Sequence, residues 1–460
     1  MRMDTIIRNG KVVTASGMFE VDVGIEDGKI SRLSTTIDDV QAENVIDASG
    51  KLVMPGVVDP HVHIDDMYSI DTYETATRAA ALGGTTTLID FAWQAWRGET
   101  SHWEEESTLL AGIERKREKA KNSYIDYGLH GGITRTDLDV LDELVEAVEK
   151  GITSFKMFTA YEVGLPNGFI NRVFQKIAEL DAVAALHTED GSVCDALTEQ
   201  FREQDRGEAS WYPKSRPAYA EAMAAEDAVR MATEAGCKYY GVHTSSEDAG
   251  EVLAEFRKRF PSLVRFETCT HYTTHDDSLY QTLGNLPMMA PPLRSRADIE
   301  SLFDYLERGV MDVVSTDHCA FKRAEKKGGE WWESSFGTNS LQTSFHIFHD
   351  IAINQRGFSY PFLVRKFATN PAHLFGLPEK GTLDPGTDAD IVIFDPNVEH
   401  IIDSSENESR ANYSLYDGRE VTGRVETTFV RGERVVDDFS LVGNPGHGEF
   451  VERSIPDWHP

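Results

Sequence analysis

The chain of 460 residues contains few cysteines, and the four that it has are widely separated. They are Cys194, Cys237, Cys269 and Cys319. No two of them form a C-x-x-C pair, so the sequence predicts neither a zinc knuckle nor a disulfide framework. A reduced, cytoplasmic protein is the simplest interpretation.

Long apolar runs are also missing. No window of about 18 uninterrupted apolar residues occurs, so the sequence predicts no membrane-spanning helix. The N-terminus, MRMDTIIRNGKVV, lacks the apolar core of a secretory signal.

Basic residues are in the minority. The chain has 45 Lys and Arg against 77 Asp and Glu, which gives a formal net charge of −32. Such a surface repels phosphate backbones and anionic lipid, so we expect no nucleic-acid and no membrane partner. A solvated surface explains this acidity, and adaptation to high salt is the alternative interpretation.

Two sequence patterns divide the chain. The first fifty residues consist of short β-branched runs separated by Asn-Gly, Asp-Gly and Ser-Gly, which are the dipeptides of hairpin turns, and the far end repeats the β-rich style. The middle alternates helical stretches with short apolar runs, a pattern typical of a parallel α/β fold and, at this length, of a closed barrel. We therefore predict an α/β protein with a TIM (β/α)8 barrel over residues 56–375. A small composite β-sandwich with a C-terminal tail is predicted for residues 1–55 plus 376–460.

Residues suited to metal chemistry follow the apolar runs of the middle region. They are His61, His63, Lys156, His187, His243, His271 and Asp317. The carboxyl ends of barrel strands open on one face, where catalytic side chains collect, so these residues are expected to converge. A lone histidine at a strand end is more often a hydrogen-bonding residue than a ligand. The set as a whole predicts a metal site, because imidazole is a common ligand of zinc-like ions.

The spacing of His61 and His63 strengthens the prediction of a metal site. Successive side chains of a strand point to opposite faces, so these two share a face while Val62 points away. Two imidazoles placed in this way can bind one cation.

Lys156 and Asp317 each leave alternatives open. Lys156 lies inside an apolar strand, ITSFKMFTAY, where an ammonium is costly to bury and its pKa falls. It either reaches solvent or pairs with a carboxylate, or it captures carbon dioxide as the free amine, giving an anionic carbamate able to bridge two cations. Asp317, in VVSTDHCAF, is a metal ligand, a general base, or both, and a helix cap is the plainer alternative.

A series of motifs occurs in order along the chain. They are MPGVVDPHVH (54–63), GGTTTLIDFA (83–92), SFKMFTAY (154–161), LHTEDG (186–191), VHTSS (242–246), FETCTHY (266–272), APPLR (290–294), STDHCAF (315–321) and NPAHLFGL (370–377). With this set the chain resembles the dihydropyrimidinase/hydantoinase branch of the amidohydrolase superfamily over essentially its full length. The resemblance implies a TIM barrel with a composite sandwich and a centre of two divalent metal ions, usually zinc.

The resemblance also implies a ligand set. It places one metal on His61, His63 and Asp317, the other on His187 and His243, and a bridge on Lys156 as N6-carboxylysine, formed with carbon dioxide. Manganese and cobalt suit the same ligands as zinc. His271 is not one of the family's metal ligands and is expected to lie beside them.

Three further residues match positions that contact substrate in the family. Tyr161 resembles the tyrosine that donates a hydrogen bond to the developing oxyanion, and Asp317 would pass a proton to the leaving ring nitrogen. Backbone groups at Ala290, where serine is usual, and at Asn339 would read the amide edge of the ring.

Three segments depart from the family pattern: IDDMYSIDTYE after His63, FAWQAWRGETS after Asp90, and SLQTSF after Asn339. The first two match loops at the substrate entrance. The residues predicted to surround the ring substituent are Met67, Tyr68, Trp93, Trp96 and Phe158. The alternative is that one or both tryptophans only pack the barrel rim.

The predicted function is hydrolysis of a small cyclic amide, which opens dihydropyrimidines or 5-substituted hydantoins to N-carbamoyl amino acids. An allantoinase-like ureide hydrolase is the sister hypothesis. A non-catalytic scaffold protein is the other class, and the presence of all six ligand-type residues argues against it. The family implies a homotetramer, with a homodimer as the alternative.

Overall fold

The computed structural model describes residues 2–37, 41–95, 106–326 and 329–459. Within these ranges, none of the helices has the length and apolar character needed to cross a bilayer.

The chain begins with a run of short strands. They are β1 (Arg2–Arg8), β2 (Lys11–Val13), β3 (Met18–Glu20), β4 (Asp22–Glu26), β5 (Lys29–Ser34), β6 (Gln41–Asp47) and β7 (Leu52–Pro55). The turn between β4 and β5 is the loop Asp27–Gly28, with φ of 51° and 74°. An Asp-Gly pair tolerates the two positive φ values that a type I′ hairpin requires. Four of these strands form a sheet in the order β5-β4-β1-β6.

The middle of the chain forms the parallel barrel. Its strands are β8 (Val57–His63), β9 (Thr85–Trp93), β10 (Asp126–Gly132), β11 (Ser154–Phe158), β12 (Val183–His187), β13 (Lys238–Gly241), β14 (Val264–Cys269), β15 (Val313–Ser315) and β16 (His318–Cys319). Each strand from β8 to β14 pairs in parallel with the next, β15 pairs with β14, and β16 pairs with β8. β15 and β16 are therefore two halves of one strand, interrupted at Thr316 and Asp317, and this strand closes the barrel. The predicted α/β barrel fold is confirmed.

The helices of the described residues lie mostly between the barrel strands. They are α1 (Tyr73–Leu82), α2 (Leu109–Lys119), α3 (Val140–Glu149), α4 (Asn167–Glu179), α5 (Gly191–Glu203), α6 (Tyr212–Ser215), α7 (Ala218–Ala235), α8 (Glu247–Arg259), α9 (Thr270–Thr274), α10 (Leu279–Leu283), α11 (Arg296–Glu307), α12 (Arg323–Lys326), α13 (Ser344–His349), α14 (Tyr360–Val364) and α15 (Asn370–Leu374). Thr72, Asp190 and Ser295 cap α1, α5 and α11 by accepting backbone N–H bonds of the first turn. These caps fix where the loops at the carboxyl ends of the strands stop.

The last strands are β17 (Ile391–Ile401), β18 (Glu420–Val430), β19 (Glu433–Asp437) and β20 (Ser440–Leu441). They join the N-terminal strands in a sheet of order β20-β19-β18-β17-β7-β2-β3. Val12, Ile25, Val53, Ile391 and Phe429 belong to one buried apolar cluster that draws on this sheet and on the four-stranded one. One sheet thus combines both ends of the chain, while the domain limits at 55/56 and 375/376 stay predictions.

The C-terminal tail returns to the barrel. Tyr127 of β10 donates its backbone N–H to Glu449 (2.9 Å) and accepts that of Val451 (2.8 Å). Trp458 is fully buried and its indole N–H donates to the carbonyl of Leu374. The tail, which the sequence grouped with the sandwich, therefore packs against the barrel.

A buried ionic cluster stabilises the contact between the barrel and the C-terminal segment. The Lys380 ammonium lies 2.5 Å from Asp126, 2.8 Å from Asp388 and 2.9 Å from Asp390. Lys380→Met is expected to lower the free energy of unfolding by about 3–5 kcal/mol, because it leaves buried carboxylates without their shared cation. Urea unfolding followed by fluorescence measures this loss.

Lys29 provides the matched control for that variant. Its ammonium also pairs with Asp388, at 2.6 Å, but its side chain is 38% exposed. Lys29→Met is expected to cost no more than about 1 kcal/mol, as exposed pairs do. Equal losses for the two variants would contradict the assignment of the stabilisation to the buried cluster.

Candidate metal centre

The six predicted metal ligands lie together at the carboxyl ends of the barrel strands. His61, His63, Lys156, His187, His243 and Asp317 all line one cavity of about 590 Å³. His61 and His63 lie on β8, Lys156 lies on β11, and His187 ends β12. His243 is the second residue after β13, and Asp317 lies in the break between β15 and β16. Five of the side chains are buried and that of Asp317 is 13% exposed. Most of these side chains are thus shielded from bulk solvent, while the cavity between them has room for small molecules.

The first group of ligands consists of His61, His63 and Asp317. His61 Nε2 lies 3.1 Å and His63 Nε2 lies 3.4 Å from Asp317 Oδ1. The alternation of β8 places both imidazoles on one face, and the break in the last strand places the carboxylate opposite them. Burial opposes ionisation of Asp317, but the charge of His61 and the proximity of both imidazoles hold its pKa well below the usual value. An ionised carboxylate between two imidazoles is a good cation ligand.

The second group consists of His187 and His243. His187 Nδ1 lies 3.0 Å from His243 Nε2, so the two nitrogens face one point. The other nitrogen of His187, Nε2, is 2.8 Å from Glu189 Oε2. A carboxylate in this position fixes the orientation of a ligating imidazole and raises its basicity.

Lys156 differs from an ordinary buried lysine. Its side chain is fully buried, its ammonium has no hydrogen-bond partner among the described residues, and the rings of Phe91 and Phe158 lie 5.4 Å and 5.2 Å from it. Burial lowers its pKa to about 8. It neither reaches solvent nor pairs with a described carboxylate, so neither of these two alternatives is supported. Two ligand groups and one unpartnered amine in a single cavity fit a pair of divalent cations.

Three residues of this cavity have backbone conformations that side-chain-bearing residues rarely adopt. The φ angles are 67° at Tyr161, 37° at His243 and 45° at Asp317. Such angles cost energy and persist at functional sites where the surrounding structure enforces them. They mark three strained backbone positions around the cavity.

Sequence reasoning missed two carboxylates that orient the ligands. Glu267 Oε1 lies 2.6 Å from His61 Nδ1, and Tyr240 donates to the other Glu267 oxygen at 2.9 Å. This contact leaves His61 Nε2 facing the cavity. Glu189 orients His187 in the same way and pairs with Arg216 at 2.5 Å. Burial opposes ionisation of Glu189, but the charge of Arg216 and the contact with His187 lower its pKa to about 2. Glu267 lies in the motif FETCTHY and Glu189 lies in LHTEDG. The position of each carboxylate near the end of a buried strand was the sequence signal that could have identified it.

Most of the residues predicted to contact substrate line the cavity, but some do not. Met67, Tyr68, Phe158, Tyr161 and Ala290 line the cavity. Asn339 is not among the lining residues: it is buried and its amide donates to the carbonyl of Tyr413 at 2.9 Å, whereas the neighbouring Thr338 and Gly337 line the cavity. The side chain of Asn339 is thus turned to Tyr413, and the predicted contact of its backbone with substrate stays a prediction.

The two predicted tryptophans have different outcomes. Trp93 does not line the cavity. Its indole N–H donates to Asp66 at 3.0 Å and its ring lies parallel to that of His63, 6.0 Å away, so it packs behind the ligand. Trp96 lies outside the described residues. Aromatic residues that the sequence did not single out, Phe321, Trp332 and Phe336, line the cavity instead.

A closed parallel barrel that collects histidine, aspartate and lysine side chains at the carboxyl ends of its strands is an arrangement suited to a metal-dependent hydrolase. Comparison with known proteins agrees. The sequence models of a dihydro-orotase-like family and of the Amidohydrolase family match residues 50–249 and 261–435. A D-hydantoinase of Streptomyces coelicolor is 37% identical, with 99% of each chain covered. An allantoinase of Escherichia coli is 33% identical over 95% of this chain and 96% of its own.

The fold comparison points to the same branch. The crystal structure of dihydropyrimidinase from Brevibacillus agri NCHU1002 superposes with a TM-score of 0.93 at 31% identity, covering all of both chains. The chain therefore belongs to the amidohydrolase family, in the branch of the hydantoinases and dihydropyrimidinases. As a member of that branch it is a hydrolase acting on cyclic amides, and the family implies a divalent metal centre.

Proposed function

We propose that this chain opens the ring of 5-substituted hydantoins or dihydropyrimidines, giving N-carbamoyl amino acids. The observation that supports this most strongly is the occurrence of both ligand groups and the unpartnered Lys156 amine in one cavity. His61, His63 and Asp317 would hold one ion, His187 and His243 the other, and Lys156, carboxylated by carbon dioxide, would bridge them. We favour zinc as the metal.

Divalent cations, when bound, lower the pKa of water and polarise a substrate carbonyl. Asp317 accepts a proton from the attacking water and donates it to the ring nitrogen as the C–N bond breaks. Two features suit it to this role: it is ionised, and it lies at the strand break with its carboxylate held by His61 and His63. General acid–base transfer of this kind contributes about 10²–10⁴ in rate.

Tyr161 is suited to stabilise the oxyanion. Burial raises the pKa of its phenol well above the ordinary value, so the hydroxyl remains a donor. The Arg216 guanidinium lies 4.4 Å from the centre of the ring, and the hydroxyl donates a long hydrogen bond of 3.4 Å to Glu189, which a bond to the oxyanion would replace. A well-placed donor of this kind is worth about 2.7–4 kcal/mol in the transition state.

The aromatic walls favour a ring with an apolar substituent. Tyr68, Phe158, Phe321, Trp332 and Phe336 line the cavity around the ligand groups. Apolar walls with a few fixed polar groups are typical of small-molecule sites.

A substrate panel on metal-replete protein tests this function. Hydantoin, 5-phenylhydantoin, dihydrouracil and allantoin are assayed side by side, and kcat/KM is expected to be at least about tenfold higher for a hydantoin or dihydrouracil than for allantoin. Preference for allantoin would establish the ureide hydrolase alternative, for which the similarity to an allantoinase is the supporting observation. Failure to hydrolyse all four would contradict the proposal. The homotetramer and the cytoplasmic location stay predictions.

A further inference from the structure

His271 is a buried histidine that the proposed chemistry does not use. It lies in α9, directly after β14, and is 1% exposed. Neither ring nitrogen has a hydrogen-bond partner among the described residues, yet the side chain lines the cavity of the ligand groups. Buried polar atoms are almost always hydrogen-bonded. A molecule that fills the cavity is therefore the natural partner of this imidazole.

The position of His271 specifies which part of that molecule it meets. β14 lies in the barrel next to β15, and ligand atoms of His271, Cys269 and Asp317 lie within 4.8 Å of one another. In the proposed function Asp317 delivers a proton to the leaving ring nitrogen. With that nitrogen seated at Asp317, the atoms bonded to it on the side away from the scissile carbonyl would be within reach of His271.

In hydantoins and dihydropyrimidines the leaving nitrogen is bonded on that side to the urea carbonyl. Burial favours the neutral imidazole, whose pKa falls to about 3. A neutral imidazole carries one N–H donor and one acceptor nitrogen. Its N–H thus matches the urea oxygen, which can only accept.

We infer that His271 binds substrate by donating its ring N–H to the urea carbonyl oxygen, an inference that rests on the proposed function. During the reaction the bond between the scissile carbonyl carbon and the ring nitrogen breaks, and the electron pair moves to the nitrogen, which takes the proton from Asp317. Before that proton arrives, the negative charge on the nitrogen is shared with the urea oxygen. A donor at this oxygen stabilises the departing ureide, and hydrogen bonds that strengthen in this way increase the rate.

A cation site formed by Cys269, His271 and Asp317 is the rival explanation of the unpartnered nitrogens. Burial, followed by the charges of Asp317 and Glu267, raises the pKa of the Cys269 thiol well above its usual value. The sulfur is also 3.4 Å from the hydroxyl of Ser315. The thiol is thus protonated without a cation; binding a cation there would release its proton, and the metal content of the His271 variants separates the two explanations.

The test pairs a residue change with a change of one substrate atom. Hydantoin and dihydrouracil are compared with their analogues that carry a thiocarbonyl at the urea position, because sulfur accepts hydrogen bonds weakly. His271→Phe is expected to lower kcat/KM about 10- to 100-fold for the oxygen substrates and much less for the sulfur analogues. The oxygen-to-sulfur preference of the wild type therefore falls by a similar factor. His271→Gln, which keeps a donor, is expected to restore part of that preference.

His275→Leu is the matched control. His275 is a half-buried histidine that stacks on Tyr416 at 4.6 Å and does not line the cavity, so its loss is expected to leave the preference unchanged. Metal content is measured on every variant, and loss of metal from His271→Phe would overturn the inference in favour of the cation site. If His271→Phe fails to fold, His271→Leu takes its place.

The outcomes separate this inference from the proposed function. An unchanged oxygen-to-sulfur preference in His271→Phe, with the wild type active, overturns the role of His271 and leaves the proposed function standing. A wild type that hydrolyses none of these rings overturns both.

Discussion

Replacing Lys156 by alanine is expected to lower kcat/KM by about a thousandfold or more while leaving the fold intact. A metal centre supplies several kcal/mol of transition-state stabilisation, and each 1.4 kcal/mol is about a factor of ten. Removing the bridge is expected to reduce the bound metal below two ions per subunit. The fold is expected to survive because the amine makes no hydrogen bond that the variant would break. Steady-state kinetics, metal analysis and thermal unfolding measure the three effects.

Lys366 offers a matched control for Lys156. It is also buried, burial lowers its pKa to about 8, and it donates to the carbonyl of Met311, but it does not line the cavity. Lys366→Met is expected to lose stability and keep turnover, whereas Lys156→Met, which preserves volume, is expected to lose turnover and keep stability. With labelled bicarbonate, a carbamate carbon signal is expected in the wild type and in Lys366→Met but not in Lys156→Met. Full turnover with two metals in Lys156→Ala would contradict the mechanism.

Asp317→Asn is expected to lower kcat about 10²–10⁴-fold and to change KM only a few-fold. The amide has the shape of the carboxylate but does not accept and return a proton near neutral pH. That proton transfer is the step assigned to Asp317. An interaction made only in the transition state affects kcat and kcat/KM equally. Kinetics are measured on protein with its metal content restored, because Asp317 is also a predicted ligand.

Asp312 supplies the comparison for this variant. It is buried just before β15, on the same stretch of chain as Asp317, and pairs with Arg257, but it does not line the cavity. Asp312→Asn is expected to reduce stability and to leave kcat within a few-fold of the wild type. A raised KM with normal kcat in Asp317→Asn would remove this residue from proton transfer.

The parts of the site that the sequence predicted are those set by local geometry. His61 and His63 share a face because strand side chains alternate, and Lys156, His187 and His243 follow from the rule that the carboxyl ends of barrel strands meet. Lys156 also stood out because a lysine within an apolar strand needs a special explanation.

The parts that the sequence did not predict depend on contacts between distant segments. Glu267 meets His61 across 206 positions, and nothing near either residue indicates its partner. Trp93 was grouped with the substrate pocket, but a bond to Asp66 holds its indole behind His63. The backbone contact predicted at Asn339 stays a prediction, and nothing in the sequence indicated that its side chain would bind the carbonyl of Tyr413. In each case a tertiary hydrogen bond decided where the side chain points.

Anomalous diffraction at the zinc edge, from crystals grown with zinc and bicarbonate, tests the central claim most directly. Two peaks are expected in the cavity, one against His61, His63 and Asp317 and one against His187 and His243. Density for a carboxylate on the Lys156 amine is expected to reach both. An empty cavity, a single ion held elsewhere, or an unmodified lysine pointing away from the peaks would contradict the account.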